Sequence, residues 1–146
     1  MQVTHVRGHT LVELLIALMI MGILAAIAIP RLPGLLRNST LTNAARVVWL
    51  DLHRAKMMAI KQGRAMRVDF TATSYNIVRV DTAAVVWSRN LAAEYPHITF
   101  DTAATTTSVS FGSTGTANGG TVVLQHGPTR SKQFTIALTG RIGPLS

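Results

Sequence analysis

The sequence predicts an α+β protein, with a long N-terminal helix packed against a C-terminal antiparallel β-sheet. Three observations predict it. Residues 14–29 form an uninterrupted apolar run. Leu41, Ala45, Val48, Leu52, Ala55 and Ala59 then recur at alternating spacings of four and three, which marks one face of a helix. From Met66 onward apolar and polar residues alternate singly, the period of a half-buried strand.

The chain has 146 residues, room for one modest domain and an anchor. It contains no cysteine, so a disulfide framework and a thiolate metal site are both excluded. The formal charge is +8 and is unevenly spread. Between Arg31 and Arg67 stand eight basic residues and one acid, Asp51. Such a bias favours anionic partners: lipid headgroups, nucleic acid or acidic protein surfaces.

Residues 1–8 are short and polar, with Arg7 as the only formal charge. Residues 11–29 are apolar apart from Glu13. As a helix this segment would measure about 28 Å, close to the hydrocarbon thickness of a bilayer. Two plain readings are open: a cleaved secretory signal peptide ending at the small residues Ala26 and Ala28, or a signal anchor with an incidental carboxylate. Glu13 argues for a third. An ionisable residue inside a membrane span is costly and by default has a functional partner. A cut after Gly8 makes Glu13 the fifth residue of the mature chain, one turn from a new α-amino group. In a helical assembly, the carboxylate of one subunit would meet the amino group of a neighbour and set their stagger.

Gly8-His9-Thr10-Leu11-Val12-Glu13-Leu14-Leu15 resembles the class III leader junction of type IV pilins and type II secretion pseudopilins. Pro30, the twenty-second mature residue, matches the position where those helices commonly kink. His9 departs from the Phe or Met usual after the cut. The resemblance implies a pilin-like fold, leader cleavage by prepilin peptidase between Gly8 and His9, N-methylation at His9, and an assembly role for Glu13. It also implies a single pass through the bacterial inner membrane, with the C-terminal domain in the periplasm. Membrane lipid, the inner-membrane assembly machinery and other pilins would then be the partners. The implied divisions are a leader at 1–8, a transmembrane and filament-core helix at 9–30, a basic-faced amphipathic helix at 31–65 and a β-domain at 66–146.

Pro30, Pro33 and Gly34 interrupt the helical pattern and predict a kink or local unwinding. In the second helix Arg46, Arg54, Lys61 and Arg64 fall on the wheel opposite the apolar stripe, giving a dry face and a basic face. Trp49, Met57 and Met58 flank the stripe and read as packing residues, as does His53. Strand candidates follow at Met66, Val68 and Phe70, then at Tyr75, Ile77 and Arg79, and at 85–88, 98–101, 108–111, 121–125 and 133–139. In the last, Phe134, Ile136 and Leu138 share one side. Residues 112–120 read as a glycine hairpin requiring positive φ angles.

Phe111-Gly112-Ser113-Thr114-Gly115, Asn118-Gly119-Gly120-Thr121 and Thr139-Gly140-Arg141-Ile142 resemble one branch of the same family. That branch holds minor pseudopilin H of type II secretion and the minor type IV pilins FimT and FimU. The resemblance implies a structural subunit of a secretion pseudopilus, extracted from the membrane by an ATP-driven machine. The alternative it implies is a FimT-like minor pilin that binds DNA for uptake, with Arg130, Lys132 and Arg141 as phosphate contacts. DNA-binding members carry Gly-Arg-x-Arg at this point, whereas the tract here reads Gly140-Arg141-Ile142-Gly143. No enzyme constellation, cofactor motif or metal-ligand spacing stands out. The five histidines and six acids are scattered, and no Gly-Lys-Ser/Thr follows the glycine hairpin.

Overall fold

The computed structural model describes residues 10–28 and 32–146. The chain divides into two compact units, residues 1–36 and 37–146. In the first, helix α1 spans Leu11–Ala28. Helix α2 spans Leu32–Gln62 and belongs mainly to the second unit. Pro33 lies in the first turn of α2, where a missing N–H costs no intrahelical bond. Pro33 and Gly34 thus lie within α2 rather than interrupting it, and Pro30 lies outside the described residues.

In the second unit α2 is followed by β1 (Met66–Phe70), β2 (Ser74–Arg79), β3 (Val85–Asn90), a one-turn helix α3 (Leu91–Glu94), β4 (Ile98–Phe100), β5 (Ser108–Phe111), β6 (Gly120–His126) and β7 (Ser131–Ile136). The strands make two antiparallel sheets, one ordered β3-β2-β1-β5 and the other β4-β6-β7. The sheets are tied through loop backbone: Phe100 N–H bonds Ala72 O at 2.9 Å, and Thr106 N–H bonds Thr121 O at 2.8 Å.

One core joins the helix to both sheets. The predicted stripe from Leu41 to Ala59 is buried at every position, and Ala44 joins it. Four of those positions are alanines at 0% exposure, which brings the helix backbone close to the strands. Facing them are Met66, Val68, Tyr75, Ile77, Val109 and Phe111 from the first sheet, and Phe100, Val122, Leu124, Phe134 and Ile136 from the second. In-register pairing explains the alternation: Val68 stands opposite both Ile77 and Val109. Val123, of the opposite parity, is also buried, and the buried Thr105 Oγ1 bonds both its N–H and its carbonyl.

Two expectations need correction. Strand β7 ends at Ile136, and Leu138 is 69% exposed rather than sharing the inner side. The chain must reverse there, and Gly140, at φ 74, closes the turn by donating its N–H to Ala137 O. The tail then runs back along β7, with Ile142 opposite Ile136 and Ser146 bonded to Gln133. Met57 is 62% exposed and does not pack, whereas Met58 packs against the core and Trp49 does so while anchoring the tail through Nε1 to Gly143 O at 3.0 Å. His53 sits beside the stripe as expected, its ring 3.9 Å from that of Trp49.

Candidate functional site

The start of α1 is built by Thr10. Its Oγ1 accepts the backbone N–H of Glu13 at 3.3 Å, and its carbonyl accepts that of Leu14. Thr10-Leu11-Val12-Glu13 therefore has the arrangement of a capping box, with Thr at the cap and Glu at the third helical position. The charge pattern points to Glu13 for pairing between subunits and not to Thr10, whose role is carried instead by the Thr-x-x-Glu spacing. A carboxylate in the first turn also complements the helix dipole. Gly8 and His9 lie outside the described residues.

Beyond Glu13, α1 is apolar on every side. Its large side chains from Leu11 to Ile27 are between 53% and 77% exposed. A helix with no polar face needs an apolar surrounding, either lipid or neighbouring helices. Among the described residues no helix is long and apolar enough to cross a membrane. The anticipated span 9–30 extends past both ends of the 18-residue α1.

The basic residues fall into separate groups. Five arginines are engaged by acids: Arg54 and Arg89 by Asp51, Arg64 and Arg79 by Asp81, and Arg67 by Asp69. Burial works to raise the Asp81 carboxyl, but the hydrogen bond and charge of Arg64, helped by Arg79, hold it below its usual range. The predicted basic face of α2 is thus partly neutralised at Arg54 and Arg64. Lys56, which the wheel left off that face, donates from Nζ to Gly140 O at 2.9 Å.

Arg130 and Lys132 lie at the start of β7, the former with its carbonyl bonded to His126 N–H. Arg141 lies beyond the other end, its carbonyl bonded to Ala137 N–H. Lys132 and Ala137 are five residue steps apart, about 17 Å along the sheet. The structure therefore brings Arg130 and Lys132 together and leaves Arg141 apart from them.

A buried polar network was not anticipated. Asp51, the single acid of the basic segment, is 4% exposed within the α2–sheet interface. It accepts the Tyr75 hydroxyl at 2.6 Å and Arg89 Nε at 2.8 Å, while Arg89 also holds Glu94. Burial, then the hydrogen bond to Asp51, pushes the Tyr75 hydroxyl well above its ordinary range. Burial works against the Arg89 charge, yet its bonds to Asp51 and Glu94 raise the guanidinium above its usual value. Arg54 and Arg89 also lie over the Trp87 ring, at 4.6 and 5.7 Å. The network clamps α2 to β2 and β3.

The glycine motifs meet at a single junction. A side chain on Gly140 would strike the Gly115 carbonyl at 1.8 Å, and one on Gly115 would meet Ile60 and Lys56 of α2 at 3.0 and 3.2 Å. The Phe111–Gly115 turn and the Thr139–Arg141 turn are thus stacked backbone to backbone against the helix.

Comparison with known proteins agrees with this architecture. Residues 44–140 match a family model described as Type II transport protein GspH, and residues 4–29 match one described as the prokaryotic N-terminal methylation motif. A search of curated proteins returns no match. Among solved structures, the chain is similar to the type IV minor pilin FimU of Pseudomonas aeruginosa in two crystal forms. In the first the TM-score is 0.58 at 20% identity, covering 72% of this chain and 87% of that one. In the second it is 0.58 at 19% identity, covering 73% and 92%. At that identity the likeness shows the fold. With more than half its length matched by the family model and a methylation motif ahead of it, the chain belongs to the GspH family of pilin-like proteins.

Proposed function

We propose that the protein is a minor pseudopilin of a type II secretion system, a structural subunit of a short periplasmic filament. The observation that carries this reading is α1: apolar on every side, capped by Thr10, with Glu13 in its first turn. Such a helix is suited to wait in the inner membrane and then to pack among identical or related helices. In this reading prepilin peptidase cuts after Gly8, His9 becomes the methylated N-terminus, and Glu13 pairs with a neighbour's amino group in low dielectric. Residues 9–30 span the membrane, and the unit from Arg37 onward stands in the periplasm. Replacing Gly8 with a bulky residue should leave the precursor uncut. Intact-mass analysis of the wild-type protein should show loss of residues 1–8. A wild-type chain that keeps Met1 would overturn the reading.

A second reading, DNA capture by a FimT-like minor pilin, is favoured by one observation: Arg130 and Lys132 sit together on the turn end of the second sheet. Basic groups at a turn suit phosphate contacts with little sequence preference and strong salt dependence. The engagement of five arginines by acids weakens the contribution of the overall charge. Gel shifts with duplex DNA at low and physiological salt decide between the two. No shift at either salt rejects DNA capture; a shift lost in an Arg130/Lys132 double substitution supports it.

A further inference from the structure

We propose that His97 and His126 form a two-imidazole site for a divalent transition metal ion of the Cu2+, Ni2+ or Zn2+ class. The two histidines belong to different elements, so their sequence spacing carries no ligand pattern. Strand pairing brings them together: β4 opens at Ile98, directly opposite His126 at the end of β6. In a regular strand the residue before Ile98 would project from the opposite face to Ile98, and hence away from His126. His97 instead has φ 69, in the left-handed region, and its ring centroid lies 6.0 Å from that of His126. The backbone departure is what places both imidazoles on one side.

The separation suits a shared ion. With a metal–nitrogen distance of about 2.1 Å, each ring centroid sits about 3.2 Å from the metal. Two rings on one ion are then about 5.2 Å apart at a tetrahedral angle and about 6.4 Å apart in line. The observed distance falls between these limits, so small side-chain rotations suffice. Neither ring makes a hydrogen bond among the described residues. Both border a cleft of about 470 Å³ lined also by Gly127, Pro128 and Thr129, large enough to admit a hydrated ion.

The donor set selects the metal class. No carboxylate lines the cleft, which disfavours Ca2+ and Mg2+, whereas imidazole suits borderline ions. Among the described residues no group of three or more His, Cys, Asp or Glu residues could hold a metal. Water or a small anion must therefore complete the coordination.

The test is calorimetric titration of the full chain in detergent micelles, stripped of metal, with CuCl2, NiCl2, ZnCl2, CaCl2 or MgCl2. The His97→Asn variant keeps a residue that tolerates the left-handed backbone. It is compared with His126→Gln and the double variant, all checked for folding by thermal melting. We expect one Cu2+ or Ni2+ per chain, with affinity reduced at least about tenfold in each single variant and abolished in the double one. Ni2+ should also selectively broaden the imidazole resonances of His97 and His126. The proposal is overturned if the wild type binds none of the three transition ions up to millimolar concentration. Undiminished binding by the folded double variant would overturn it as well.

Discussion

Removing the Asp51 carboxylate should be among the most damaging changes to the β-domain that leave its hydrophobic core intact. In Asp51→Ala, the Tyr75 hydroxyl and Arg89 Nε both lose the acceptor that now holds them at 2.6 and 2.8 Å. Breaking a buried ion pair by deleting one partner costs about 3–5 kcal/mol. Arg89 keeps Glu94, with which its NH1 makes two further bonds, so the lower end of that range applies. Tyr75→Phe removes a single charge-assisted hydrogen bond, worth about 1.5–3 kcal/mol, and leaves Asp51 paired with Arg89 and Arg54. The two losses overlap at one bond, so the double variant should be less destabilised than the sum of the singles. Among the described residues, every buried core residue lies in the unit 37–146, which is the part to measure. At roughly 4 °C per kcal/mol for a domain of this size, Asp51→Ala should lower Tm by about 12 °C, and urea unfolding should give the same ranking. A loss below about 1 kcal/mol would mean that the carboxylate behaves like a surface ion pair, and the clamp would be refuted.

Tyr75 also sets an alkaline limit. Its folded-state ionisation is raised, so its contribution is fully present below pH about 10 and falls above that, by up to about 1.4 kcal/mol per pH unit. Urea midpoints measured from pH 9 to 11 should decline more steeply in wild type than in Tyr75→Phe; equal slopes would count against it. Gly140→Ala should cost about 2–4 kcal/mol, because the new methyl meets the Gly115 carbonyl as well as a strained φ. Gly127→Ala, at φ 63 with open space around it, should cost only about 1 kcal/mol, and matched thermal melts distinguish the two sites. Trp49→Phe should cost about 1 kcal/mol through loss of the bond to Gly143 and should free the tail, read as faster cleavage by carboxypeptidase.

The helix and most strands were legible because their patterns are local. The stripe from Leu41 to Ala59 declares its buried face by spacing alone, and β1, β2 and β5 do so by single alternation. Strand ends were harder to read, because the residue that stops β7 is a turn glycine four positions on, and Leu138 continues the apolar pattern past the reversal. Division of the strands into two sheets was not legible either: it depends on long-range pairing of β1 with β5 and of β4 with β6. The Asp51 network was hidden for the same reason. Asp51 reads as a charge among eight bases until β2 brings Tyr75, and β3 brings Arg89, to the same point. Glu13 stood out because a carboxylate is anomalous in an apolar run; Thr10, an ordinary polar residue, did not. Gly115 and Gly140 read as separate turn glycines, and only their contact shows why neither position has room for a side chain.

The two units satisfy their apolar surfaces in different ways, and this bears on what each can do. In the unit 37–146, the dry face of α2 is covered by both sheets, the acid within it is paired, and the tail is fastened back onto β7. α1 is the reverse: every large apolar side chain from Leu11 to Ile27 is exposed, and no strand or helix of the second unit is needed to explain its sequence. Burial of apolar area is non-directional, so lipid and a bundle of like helices satisfy such a surface about equally. In the reading proposed above, that near-equivalence would let the helix move from membrane to filament without a large change in free energy. A polar group that prefers one setting would then be needed to fix register, and within the described part of α1 Glu13 is the one ionisable residue to propose for it.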